Sequence, residues 1–278
     1  MFRKMKKTLL AVLVALVAIS AFGADTLKVM SYNIRLGKAD DGTNSWKYRY
    51  PASAMMLDDQ KPDIFGVQEA YDYQVKYLKE YPGFYKAVGV GRDDGKHAGE
   101  HMSIFYNKKT VKILKWGTFW LSETPEKPSA GWDAKHKRTA TWALLKTKKG
   151  GHKFYYVNTH LDHKGVEAQK NGLKLIVDRI GSINPQGYPM VLTGDFNVKP
   201  ENPVLNELNT KMQSARDIAE KTDHLATFNG WGKEKESLID YIYIKGFSAC
   251  PFYQTIRKEY DGRKFISDHY PITAKVVF

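Results

Sequence analysis

Apolar residues in this chain gather in short runs, each closed by turn formers or by a polar cluster, the pattern of buried strands. Leu27 to Asn33 alternates apolar and polar and predicts a strand. Further strands are predicted at Ile64 to Val67, Phe84 to Val90, Ser103 to Tyr106, Val111 to Leu121, Thr139 to Lys146 and Phe154 to Thr159. The run Pro189 to Thr193 predicts another, and Leu238 to Ile244, Phe252 to Ile256 and Ile272 to Val277 complete the set. Helices are expected at Ala52 to Gln60, behind Pro51 in a first turn, and at Tyr73 to Lys79, stopped at Pro82. Val166, Leu173, Ile176, Val177 and Ile180 form a third helical stripe. Many strands with a few helices, and no repeat or linker, predict one α+β domain of stacked sheets over residues 24–278.

Residues 1–23 fit a different pattern. Arg3, Lys4, Lys6 and Lys7 precede the apolar segment Leu9 to Ile19, and the small residues Ala21 and Gly23 follow. A basic start, a short apolar stretch and a small-residue end are the marks of a secretory signal peptide. The apolar stretch is shorter than the roughly 20 residues that span a bilayer. The expectation is an exported protein, periplasmic or secreted, cleaved after Gly23, with no transmembrane segment after cleavage. The sole cysteine, Cys250, forbids an intramolecular disulfide, and the 42% hydrophobic content supplies a core without one. The formal charge of +13 drops to +9 once the four leader cations are removed, a lean toward anionic partners.

The chemistry sits at the strand ends. Gly194-Asp195-Phe196-Asn197 closes the run Pro189 to Thr193, so Asp195 and Asn197 project to one side. Asn33, Glu69, His160, Asp240 and the pair Asp268-His269 end or begin other apolar runs. Acids and amides in such surroundings need a partner or a metal. Without cysteine the set is rich in oxygen ligands, which suits Mg²⁺, Mn²⁺ or Ca²⁺. A histidine beside an acid suits proton transfer.

The ordered motifs Ser31-Tyr32-Asn33-Ile34-Arg35, Gln68-Glu69, Gly91-Arg92-Asp93-Asp94-Gly95, Gly99-Glu100, Asn158-Thr159-His160, Gly194-Asp195-Phe196-Asn197, Ile239-Asp240-Tyr241 and Ser267-Asp268-His269-Tyr270-Pro271 resemble the endonuclease/exonuclease/phosphatase superfamily. That group includes DNase I, apurinic-site endonucleases, neutral sphingomyelinases, inositol polyphosphate 5-phosphatases and deadenylase-type exonucleases. The resemblance covers almost the whole mature chain and implies a four-layer αββα sandwich of the DNase I type, with two mainly antiparallel sheets. It implies Glu69 as principal ligand of Mg²⁺ (or Mn²⁺ or Ca²⁺), with Asn33 and Asp268 completing the metal site. Asp195 then orients or deprotonates the attacking water, Asn197 holds a phosphoryl oxygen, and His269 is a second proton-transfer or phosphate-binding group oriented by Asp240. His160 is the other active-site histidine, and Glu100 matches the acid paired with it in DNase I. Arg92 and Arg138 are candidate phosphate-binding residues. Arg35 and His160 stand where apurinic-site endonucleases carry an acid and a tyrosine, which turns the resemblance away from abasic-site repair and toward the deadenylase-like branch.

The implied activity is metal-dependent hydrolysis of phosphate esters, with a phosphodiesterase as the favoured reading. A phospholipid, sugar or inositol phosphate phosphatase is the alternative, and a non-catalytic binding protein on the same fold is a third, which the intact motif set opposes. The partner is a phosphorylated substrate (nucleic acid, phospholipid head group or sugar phosphate), and no obligate protein partner is evident. Two aromatic-rich stretches, Asp40 to Tyr50 and Trp116 to His136, are expected to flank the site.

Overall fold

The computed structural model describes residues 25–278, so the expected signal peptide lies outside the described residues. Among the described residues, twelve strands form two sheets of six. The first holds β1 (Thr26–Asn33), β2 (Ile64–Gln68), β3 (Tyr85–Val88), β4 (Ile104–Asn107), β11 (Ala249–Thr255) and β12 (Ile272–Val277), in the order β11-β12-β1-β2-β4-β3. The second holds β5 (Val111–Trp120), β6 (Thr139–Thr147), β7 (Lys153–His160), β8 (Met190–Asp195), β9 (Gln213–Ser214) and β10 (Asp240–Lys245), in the order β5-β6-β7-β8-β10-β9. Each sheet carries one parallel pair at its centre, β1 with β2 and β7 with β8, and is otherwise antiparallel.

Period-two alternation sorts each strand between two cores. Val29, Ile64, Val191 and Ile242 point between the sheets. Their neighbours Met30, Phe65 and Val67 pack outward with Ala52, Met56, Val75 and Leu78 of helices α1 (Trp46–Gln60) and α2 (Asp72–Glu80). Leu192 and Tyr241 pack with Leu173, Ile176 and Leu208 of α3 (Val166–Ile183) and α4 (Asn206–Lys211). Both strand faces are therefore covered, which is why the runs read as apolar rather than cleanly alternating. The result is the four-layer αββα sandwich.

The inter-sheet faces change character along the strands. On β1 the inward series is Leu27, Val29, Ser31, Asn33; on β7 it is Phe154, Tyr156, Asn158, His160; on β8 it is Val191, Thr193, Asp195. On β2 it is Ile64, Gly66, Gln68, and on β10, read backward, Ile244, Ile242, Asp240. All five grade from apolar to polar toward one edge. Register aligns those ends, with Asn33 opposite Gln68, His160 opposite Asp195, and Asp195 opposite Asp240.

Helix α1 begins six residues ahead of the expected Ala52, and Pro51 lies inside it. The extension is held by Arg49, fully buried, which donates to the carbonyls of Asn44, Arg35, Ile34 and Ile266. A short turn from Tyr48 N–H to the Ser45 carbonyl starts the helix. Helix α4 and the one-turn α5 (Ala215–Ile218) carry too few apolar positions to show a period in the sequence. Among the described residues no helix is long and apolar enough to cross a membrane.

Candidate active site

The aligned polar ends open into a cleft of about 460 Å³ whose lining includes Arg35, Glu69, Glu100, Arg138, His160, Asp195, Asn197, Asp268 and His269. Three of the residues that shape it adopt left-handed backbone: Arg35 (φ 60°), Glu69 (φ 63°) and Asn197 (φ 54°). Asparagine tolerates this conformation, whereas for Arg35 and Glu69 it costs on the order of 1–2 kcal/mol each. Strain of this kind persists where the surroundings over-determine it, and it clusters at functional sites.

Asp195 is the hub. Its Oδ2 accepts from Asn33 Nδ2 at 2.9 Å and lies 3.5 Å from His160 Nε2 and 3.7 Å from His269 Nε2. Its Oδ1 accepts the Asn197 N–H at 2.9 Å. Burial, reinforced by the neighbouring Asp240 carboxylate, pushes the Asp195 carboxyl up to about 7. Asn33 also donates to Glu69 Oε1 at 3.1 Å, while Glu69 Oε2 accepts the Leu36 N–H at 2.9 Å. Asn33 thus bridges the two acids through its N–H groups, and its own oxygen accepts the Arg35 N–H at 3.0 Å.

The two histidines sit in opposite electrostatic settings. His269 Nδ1–H donates to Asp240 Oδ2 at 2.8 Å, and that oxygen also accepts the Thr227 hydroxyl at 2.6 Å. Burial works against the imidazolium of His269, but the Asp240 and Asp195 carboxylates outweigh it and hold the ring protonated, well above the usual histidine range. Burial, with Arg138 and Arg92 adding to it, holds His160 well below that range, as a neutral ring. Asn197 Nδ2 donates to His160 Nε2 at 2.9 Å and to the Leu161 carbonyl at 3.1 Å.

Several of the expected site residues have partners within the protein. Both N–H groups of Asn197 are engaged, on the His160 ring and on the Leu161 carbonyl. Glu100 does not pair with His160: it takes both Nη atoms of Arg92, at 2.8 and 2.7 Å. Arg92 is buried in that pair, away from the cleft lining, so it is not a free phosphate-binding cation. His160 Nδ1 and Asp240 Oδ1 are buried without a hydrogen-bond partner among the described residues. Asp268, expected among the metal ligands, turns its Oδ2 to Arg35 Nη1 at 3.3 Å and its Oδ1 to the Ser267 hydroxyl at 3.3 Å. Arg138 does reach the cleft, braced by Asp162 at 3.3 Å and by His163 Nδ1 at 3.2 Å. Of the two aromatic stretches only His136, the last residue of the second, lines the cleft. Trp46 is buried with Tyr77 on the helical layer, and the Trp120 indole N–H is spent on the Arg92 carbonyl at 2.7 Å.

Sequence reasoning passed over Thr227, Asp162, His136 and His163. The signal for Asp162 was present in His160-Leu161-Asp162-His163, where an acid immediately past a strand end caps the following turn through Lys164 N–H and Gly165 N–H. His136 and His163 stack with ring centroids 5.7 Å apart at the cleft rim.

A divalent metal suits this donor set. Glu69, His160 and Asp195 each offer a ligand atom, and those atoms lie within 4.8 Å of one another. A cation bound there would offset the burial that raises the Asp195 carboxyl.

Two stacked sheets that converge strand-end carboxylates and histidines on one cleft define a class. The chain belongs to the Endonuclease/Exonuclease/phosphatase family, which it matches over residues 30–269. It is similar to an endonuclease/exonuclease/phosphatase family protein of Bacteroides thetaiotaomicron, with 34% identity and TM-score 0.86 over 92% of this chain and 98% of that one. A mannosyl-6-phosphatase of the same organism is similar at 34% identity and TM-score 0.86, over 91% of this chain and 100% of that one. Uncharacterized protein L388 of Acanthamoeba polyphaga mimivirus is 24% identical over 88% of this chain and 98% of its own length. The fold is that of the family's hydrolases.

Proposed function

We propose that the protein is an exported, divalent-metal-dependent phosphatase that cleaves phosphate monoesters of sugars. The observation that carries this reading is the cleft itself. Its volume of about 460 Å³ suits a small molecule, and Arg35, Arg138 and protonated His269 face the acids within it. A terminal phosphate offers three unsubstituted oxygens to these donors and to a metal held by the acids, where a diester offers two. The similarity to a mannosyl-6-phosphatase supports the same substrate class.

Glu69 would hold the metal, with Asp195 and His160 within reach of it, Mg²⁺ being the favoured ion. When bound it would neutralise charge on the phosphoryl oxygens. Asp195, held near neutrality, is suited to take a proton from the attacking water, and Asn33 keeps its carboxylate aimed. His269, kept protonated and oriented by Asp240, supplies positive charge to the phosphoryl group and a proton to the leaving oxygen. Neutral His160, its Nε2 held by Asn197, walls the site 3.5 Å from Asp195 Oδ2. Arg138 anchors the anion from the opposite wall.

The test is turnover by the purified protein of mannose 6-phosphate, glucose 6-phosphate, p-nitrophenyl phosphate, bis-p-nitrophenyl phosphate, DNA and sphingomyelin, with Mg²⁺ and with EDTA. EDTA-sensitive release of phosphate from the hexose phosphates, faster than cleavage of any diester, is expected. Faster cleavage of bis-p-nitrophenyl phosphate or DNA would return the protein to the phosphodiesterase reading.

A further inference from the structure

Two rings at the mouth of the cleft take no part in the mechanism above. His136 and His163 line it, stacked with centroids 5.7 Å apart and planes 20° from parallel. Both side chains are exposed, yet both stand on backbone that is tied down. His136 belongs to the loop over residues 131–138, and His163 to the turn between β7 and α3. Asp162 joins the two: its Oδ2 accepts the His136 N–H at 3.3 Å and its Oδ1 the Gly165 N–H at 2.9 Å. Asp133 of the loop joins them again, its Oδ1 accepting the Ala168 N–H of α3 at 2.7 Å. The same Asp133 packs against Gly165, where a Cβ would meet its Oδ1 at 2.6 Å.

The His163 ring has one proton arrangement. Its Nδ1 lies 3.2 Å from Arg138 Nη2. A guanidinium only donates, so Nδ1 accepts, the ring is neutral and Nε2 carries the proton. This wall therefore offers an uncharged donor on a fixed ring. The lysines beside the two histidines, Lys135 and Lys164, are exposed but stand outside the lining. A second phosphate, as on a polynucleotide, would call for a cation at this wall. An uncharged N–H suits a hydroxyl group instead.

We propose that His163 selects the leaving group: its Nε2–H donates to a hydroxyl of the sugar whose phosphate Arg138 holds, and His136 stacks against the ring to keep it in place. This rests on the sugar-phosphatase reading above and deepens it. His163 is one hydrogen bond from Arg138, so a sugar can meet the ring while its phosphate meets the guanidinium. A pre-placed donor adds a hydrogen bond without the cost of ordering a free side chain. His136 acts through His163 and is a positioning residue.

Phosphate release from mannose 6-phosphate and from phenyl phosphate, which has no hydroxyl on its leaving group, separates sugar recognition from bracing of Arg138. In His163→Asn the amide oxygen can replace Nδ1 as the acceptor for Arg138, while nothing replaces the Nε2–H. For that variant kcat/KM on mannose 6-phosphate is expected to fall about tenfold, the scale of one hydrogen bond, with phenyl phosphate within about twofold of wild type. The loss should lie in KM rather than kcat. His136→Ala leaves the Arg138 contact untouched and is expected to lower mannose 6-phosphate turnover alone, by about threefold, the cost of ordering one ring. Equal losses on both substrates in either variant would reduce the pair to a brace for Arg138. Wild-type kcat/KM on mannose 6-phosphate in His163→Asn would remove His163 from sugar recognition. Either result overturns the inference and leaves the phosphatase reading standing. Wild-type turnover of phenyl phosphate with none of mannose 6-phosphate would remove the sugar reading and the His163 inference with it.

Discussion

Asp240 Oδ2 stands 2.8 Å from His269 Nδ1 and accepts the Thr227 hydroxyl through the same atom. The carboxylate therefore fixes which ring nitrogen of His269 carries its proton toward the cleft, and keeps the ring charged. Asp240→Asn preserves the shape and removes the charge. It is expected to lower kcat about 100-fold or more, the scale of general acid–base catalysis. The alkaline limb of the kcat pH profile should move to lower pH, because the variant's imidazolium gives up its proton more readily. A variant with wild-type kcat and an unmoved limb would remove His269 from the proton chemistry.

Asp195 connects pH, metal and stability. Its folded value, about 7, lies above the usual carboxylate value, so the folded protein holds that proton more tightly than the unfolded chain does. His269 is raised as well. Both groups stabilise the metal-free protein fully below their unfolded values and withdraw that stability as pH rises. The metal-free Tm is therefore expected to fall from pH 5 to pH 8. Mg²⁺ should raise Tm more at pH 8, where it does not compete with the Asp195 proton, than at pH 5. In Asp195→Asn both differences should shrink; equal Mg²⁺ effects at the two pH values in the wild type would place the ion elsewhere.

The strand-end residues were legible because five strands repeat one rule: apolar inward positions give way to polar ones, then to an acid, amide or histidine, at the same edge. That follows from period-two alternation and a core buried on both faces. Asn33, His160, Asp195 and Asp240 emerge at that edge for this reason, and Glu69, Asp268 and His269 lie in the turns just beyond strand ends. Pairings between loops were not legible. Arg92 to Glu100, Arg35 to Asp41 and Arg138 to Asp162 depend on how irregular backbone returns on itself, and no periodicity reports that. The orientation of single aromatic rings was not legible either: Trp46 belongs to a helix that starts ahead of Pro51, and Trp120 turns its N–H to the Arg92 carbonyl.

Asp162 holds the Arg138 wall in place. Its Oδ2 accepts the Lys135 N–H at 3.0 Å, the His136 N–H at 3.3 Å and Arg138 Nε at 3.3 Å, and its Oδ1 accepts from Lys164 and Gly165. Burial works against the carboxylate, but these donors and the Arg138 charge win and lower it to about 2. A lowered acid contributes stability above its unfolded value, about 3.9, and loses it as pH falls toward 2. Asp162→Asn turns an acceptor into a donor facing donors and leaves Arg138 unpaired, so a loss of about 3 kcal/mol is expected. KM for a sugar phosphate should rise more than kcat falls. Urea unfolding at pH 7 and at pH 3 checks the first claim: the gap between wild type and variant should narrow at the lower pH.

Gly66 carries the floor of the cleft. It lies on the inward face of β2, where Asn158 from the facing sheet fills the space a side chain would take. A Cβ there would meet Asn158 Oδ1 at 2.3 Å, its Cγ at 2.4 Å and Thr193 Oγ1 at 2.8 Å. Asn158 Oδ1 accepts from Gln68 Nε2 at 2.6 Å and from Thr193 Oγ1 at 3.2 Å, and Asn158 Nδ2 donates to the Val67 carbonyl at 2.7 Å. These bonds tie β2 to β7 and β8 one step below Glu69 and Asp195. Gly66→Ala must push Asn158 aside in a packed, polar interior, breaking those bonds as well as overpacking. About 3 kcal/mol of lost stability is expected. Because Glu69 and Asp195 sit on the two sheets that Asn158 joins, the variant should also bind Mn²⁺ more weakly. Asn158→Ala in the Gly66→Ala background removes the clash but not the lost bonds, so it should recover part of the stability and none of the metal affinity. Recovery of both would mean that Asn158 only fills space and that the two sheets hold their spacing without it.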